Sequence, residues 1–98
     1  MPHYLIMYRP PREGFAENAT PEETAIIERH VAFLQKMEDE GRLILAGRIE
    51  DARFGIAVIE VENDNEAKRI MDNDPAVKDG VFSGELLPFR LALLRTGE

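Results

Sequence analysis

The stretch Thr20–Gly41, TPEETAIIERHVAFLQKMEDEG, decides the architecture of this chain. Thr20 is an N-cap residue, Pro21 suits the first helical position, and Glu23 three residues after the cap completes a capping box. Ile26, Ile27, Phe33, Leu34 and Met37 then recur at the three- and four-residue spacing of a helix that buries one face. Gly41 stands where a left-handed C-cap is wanted. The spacing predicts a long helix from Pro21 to about Glu40, and the segments on either side must pack against it.

Upstream, His3–Arg9 carries Tyr4, Leu5, Ile6, Met7 and Tyr8, too short a run for a helix and stopped by Pro10-Pro11. It reads as a strand with both faces apolar, and residues 10–20 read as a loop. Downstream, Arg42–Ile49 and Ile56–Glu62 read as two strands joined by a turn at 50–55, a hairpin. Asn63-Asp64-Asn65 caps a shorter helix at about 65–73, which Asp74-Pro75 ends. A single turn at 76–79 closes at Gly80. Val81 to about Arg95 is the last strand, and Pro88 inside it argues for a sheet edge or a bulge.

The order β-α-β-β-α-β predicts an α+β fold of the ferredoxin-like kind, a four-stranded antiparallel sheet with two helices on one face. The strands offer large apolar residues to both faces. The helix-free face is therefore expected to pair with a second copy, making a homodimer. At 98 residues the chain is one domain, 1–98, with a modest core that a partner subunit would extend.

Twelve Lys and Arg stand against nineteen Asp and Glu, a net charge of −7 that opposes binding to nucleic acid or an anionic membrane. With 44% hydrophobic residues the chain is too apolar to be disordered. It has no Cys, which removes disulfides, thiolate metal sites and thiol nucleophiles. No apolar run reaches membrane-spanning length, and the first residues lack the features of a secretory signal, so a cytoplasmic location is expected. No phosphate-cradling glycine loop, nucleophile elbow or metal-ligand spacing occurs, and no cofactor or metal is expected.

His30 breaks the apolar pattern. At about 100° per residue, with Ile26 at zero, Phe33 and Met37 fall near −20° and 20°, and His30 near 40°. Its imidazole must point at the sheet, where an unpaired polar group costs about 1–3 kcal/mol. A backbone carbonyl or Asp74 is its candidate partner, Asp74 being equally suited to cap the turn that Pro75 begins. A His–Asp pair is usable chemistry, because the carboxylate fixes the imidazole tautomer and leaves the other nitrogen to exchange a proton. Tyr8, Arg9 and Arg12, where the first strand ends, are candidates for binding a small substrate, the arginines for an anionic one. Ser83 is a further candidate, with no local base to make it a nucleophile.

These segments resemble the YCII (YciI-like) family of the dimeric α/β-barrel superfamily. The resemblance rests on Tyr4-Leu5-Ile6-Met7-Tyr8, Arg29-His30, Gly41-Arg42-Leu43-Ile44-Leu45-Ala46-Gly47, Glu66-Ala67, Asp74-Pro75 and Leu87-Pro88-Phe89. It implies a ferredoxin-like monomer that dimerises sheet to sheet as a dimeric α/β barrel. It also implies a pocket in which His30 and Asp74 form a catalytic pair. Some relatives take part in breakdown of chlorinated aromatic compounds, and related barrels include muconolactone isomerases. The chain departs from the family in its proline-rich loop, Arg9 to Asn18, and in Arg48-Ile49-Glu50, where many relatives carry Gly-Pro.

The resulting expectation is a small enzyme without a cofactor. It would carry out proton transfer, isomerisation or elimination on a small aromatic or lactone compound. The rival expectation is a non-catalytic dimeric module that binds a ligand or a protein, with His30 as a packed core residue.

Overall fold

The computed structural model describes residues 1–95. Strand β1 (His3–Arg9) leads into a single-turn helix α1 (Phe15–Asn18) and the long helix α2 (Pro21–Asp39). The hairpin β2 (Leu43–Arg48) and β3 (Gly55–Glu60) follows, then α3 (Asp64–Asn73), α4 (Pro75–Lys78) and β4 (Ser83–Phe89). All neighbouring strands are antiparallel, in the order β2-β3-β1-β4, which is the ferredoxin-like topology.

The capping box forms as the sequence expects. Thr20 accepts from the Glu23 N–H at 3.1 Å, and Glu23 accepts from the Thr20 N–H at 2.9 Å. At the other end Gly41 has φ +76°, with Gly41 N–H bonded to Glu38 O and Arg42 N–H to Met37 O. This Schellman arrangement satisfies two of the helix's last carbonyls and turns the chain into β2. Gly41→Ala puts a side chain into left-handed backbone and is expected to cost about 1–2 kcal/mol. Thermal denaturation should show Tm falling by roughly 5–10 °C.

The core lies between the helices and one face of the sheet. Tyr4, Ile6 and Tyr8 alternate inward along β1, beside Ala57 and Ile59 of β3, and pack with Met37, Ala67 and Ile70. Leu5 and Met7 point to the opposite face. There the register aligns Leu45, Val58, Leu5 and Leu87 in one row across all four strands.

Three expectations are corrected. The sheet does not close into a barrel: β2 and β4 each have one hydrogen-bonded neighbour, so both edges are open. Closure demands two neighbours for every strand, and the dimeric α/β barrel is set aside. Second, the loop at 10–20 contains α1, a turn too short to leave a periodic signature. Arg12 holds this segment by bonds to Asn18 and Glu23. Third, the last strand ends at Phe89, opposite His3 at the start of β1, because beyond His3 it has no strand to pair with. Pro88 does lie on an edge strand, as its missing N–H requires.

Among the described residues, no helix is long and apolar enough to cross a membrane. No group of three or more acidic or histidine side chains is placed to hold a metal ion there.

Candidate active site

Three elements bring His30, Asp74 and Tyr8 together. His30 sits mid-way along α2 on its sheet-facing side, Tyr8 comes from the inward face of β1, and Asp74 joins α3 to α4. His30 is 8% exposed and Asp74 0%, so the pair is out of bulk water. His30 Nδ1 lies 2.7 and 2.9 Å from the two Asp74 oxygens. The Tyr8 hydroxyl donates to Asp74 Oδ2 at 2.9 Å, and the Ala76 N–H donates to Oδ1 at 2.9 Å. Asp74 is thus the N-cap of α4 and the partner of His30 at once.

This arrangement sets the histidine tautomer. A carboxylate only accepts hydrogen bonds, so the ring nitrogen facing it carries the proton. In the neutral ring Nε2 then holds the lone pair. Nε2 bonds to no described residue, yet no buried side-chain nitrogen or oxygen there lacks a partner. Nε2 is therefore the accessible end of a ring whose other end is held.

The surroundings are aromatic and apolar. Tyr8 and Phe82 meet the imidazole edge-on, with ring centroids at 5.0 and 5.6 Å, and Phe15 packs against Phe82 at 5.8 Å. His30 opens on a cavity of about 660 Å³ between α1, α2 and the β2–β3 hairpin. Phe15, Ile27, Leu34, Phe54 and Phe82 are among its walls, with Gly55 and Arg48 on the hairpin side. A cavity of this size, mostly apolar with few polar groups, suits a small organic molecule.

Tyr8 is held as a donor. Burial, then the Asp74 charge, then the hydrogen bond to Asp74 push its hydroxyl far above the ordinary tyrosine range. The folded state therefore keeps this proton when the unfolded chain would release it. Stability is fully present below the unfolded tyrosine value of about 10 and falls as pH rises beyond it. Denaturation midpoints should drop through this alkaline range in the native chain and drop less in Tyr8→Phe.

The other candidates lie elsewhere. Arg9 and Ser83 are register partners on exposed positions of β1 and β4, outside the cavity. Arg9 faces Glu85 at 3.9 Å. Arg12 is committed to Glu23 at 2.7 Å, and this bond with the Thr20 N–H holds the Glu23 carboxyl down at about 2. His3 pairs with Glu60 at 3.0 Å, apart from His30. Phe15, Phe54 and Phe82 carry no sequence signal as site residues, because only the folded chain brings them to the cavity beside His30.

No protein of curated function matches the chain by sequence. A solved structure with a similar fold is 5-chloro-2-hydroxyhydroquinone dehydrochlorinase from Burkholderia phenoliruptrix AC1100, in complex with 2,5-dihydroxybenzoquinone. It is 19% identical, with 91% of this chain and 95% of that one aligned and a TM-score of 0.60. The model of the YCII-related domain matches residues 1–90, which contain every strand and helix described above as well as His30, Asp74 and Tyr8. The chain belongs to the YCII-related family.

Proposed function

We propose that the chain is a small enzyme in which His30 Nε2 moves a proton on a small aromatic substrate, with Asp74 orienting the ring. One observation carries this reading: Asp74, fully buried, spends its oxygens on Tyr8, Ala76 and His30, leaving Nε2 as the accessible nitrogen beside an apolar cavity. A positioned base of this kind contributes about 10²–10⁴ in rate. The similarly folded dehydrochlorinase acts on a chlorinated hydroxyhydroquinone and was solved with a dihydroxybenzoquinone, which favours a ring compound here and a proton-transfer or elimination step. The test is a screen of small aromatic and lactone compounds for thermal stabilisation, followed by turnover of the hits by the native chain and His30→Gln. Turnover that depends on His30 supports the reading; turnover indifferent to it refutes the reading.

For the partner we infer a second copy of the chain. The row Leu45, Val58, Leu5 and Leu87 lies on the face that no helix covers, and Leu45 and Leu87 are 42% and 39% exposed. Exposed leucines of this kind are favourably buried between subunits. Light scattering should give twice the chain mass, and Leu87→Glu should lower it to one.

A further inference from the structure

Arg48 ends β2 and lines the cavity. The register aligns Arg48, Gly55 and Tyr8 across β2, β3 and β1, on the same face of the sheet as His30. Gly55 contributes no side chain between the other two, and a Cβ at its position would meet Gly47 O and Arg48 Cβ, at 3.1 and 3.4 Å. Two strand spacings separate Arg48 from Tyr8, about 9.5 Å between backbones. That gap fits one substituted aromatic ring.

Arg9, Arg12, Arg29, Arg42 and Arg53 each pair with a carboxylate. Arg48 lines the cavity and has no carboxylate partner among the described residues. The other charged residue of the lining, Glu38, lies eight residues beyond His30 on α2, about 12 Å along the helix axis. It sits beside Met37, whose carbonyl receives the Arg42 N–H just before β2 begins. The six residues of β2, Leu43 to Arg48, span roughly 16 Å. Arg48 is therefore the positive group of the cavity wall, on an exposed stretch of β2, while the Asp74 carboxylate behind His30 is buried and already bonded to Tyr8, Ala76 and His30.

We propose that the cavity selects a planar ring bearing one anionic group, a carboxylate or phenolate, that Arg48 grips while the ring presents its reacting edge to His30. The inference rests on the proton-transfer reading of His30 for the reacting edge only; the charge preference stands or falls separately. The fork of the guanidinium suits two oxygens of one group, so a carboxylate is the stronger probe.

The experiment is calorimetric titration of the native chain, Arg48→Gln and His30→Gln with benzoate and with its neutral isostere benzamide. Benzoate is expected to bind the native chain about tenfold or more tighter than benzamide. In Arg48→Gln that preference should fall below about twofold, through weaker benzoate binding alone. In His30→Gln it should persist. Equal binding of the two probes by the native chain, no benzoate binding, or an undiminished preference in Arg48→Gln each overturns the proposal. A His30→Gln chain that keeps turnover removes the base assignment and leaves an Arg48-dependent preference intact.

Discussion

Asp74→Ala is expected to destabilise the chain by about 3–5 kcal/mol, the largest effect of any single substitution considered. Three donors depend on this carboxylate: His30 Nδ1–H, the Tyr8 hydroxyl and the Ala76 N–H. Alanine leaves them facing one another in a site where Asp74 itself is 0% exposed. A buried orphan of this kind costs about 1–3 kcal/mol, and loss of the α4 cap adds about 1 kcal/mol. Since a domain of this size holds only about 5–15 kcal/mol in total, the loss is a large fraction of it. Chemical denaturation should show a lower midpoint with an unchanged slope. Asp74→Asn is the companion variant, because it keeps the shape and one acceptor oxygen. It should cost less than alanine, and an equal cost would mean that the hydrogen bonds do not hold the fold here.

The second large effect is on chemistry. His30→Gln is expected to lower turnover by about 10²–10⁴ while Tm moves by only a few degrees. Glutamine reaches toward Asp74 with an amide N–H and preserves much of the packing against Tyr8 and Phe82. It offers no nitrogen lone pair where Nε2 stands. Asp74→Asn should also lose turnover, by a different route. Its amide favours donation to Nδ1, which transfers the ring proton to Nε2 and removes the base without removing the histidine. Turnover in His30→Gln within threefold of the native chain, roughly, would refute the assignment.

Much of this fold was legible because its local signals do not depend on the rest of the chain. The Thr20–Glu23 box, Gly41, Asn63 and the Asp74-Pro75 step each act over three or four residues, and each stands where the helices begin or end. What escaped depends on contacts distant in sequence. Helix α1 is fixed by Arg12 reaching Asn18 and Glu23, and the end of β4 by where β1 begins. Open and closed sheets share one strand pattern, so closure was the wrong expectation. The site divides in the same way. His30 declared itself by its angle in the apolar arc. Asp74 had two readings in the sequence, cap or partner, and the structure shows it serving both. The phenylalanine walls acquire meaning only when the hairpin folds over α2.

The central claim is that Asp74 holds the proton on Nδ1 of His30 and leaves Nε2 free as the base. Nitrogen-15 NMR of the histidine rings tests it most directly, in the neutral state of His30 and with His3→Gln to assign the signals. The expected spectrum has the proton on Nδ1, coupled to a buried hydrogen bond, with Nε2 unprotonated and shifted when an aromatic ligand enters the cavity. A neutral His30 protonated on Nε2, or an Nε2 signal indifferent to every ligand that binds, would contradict it.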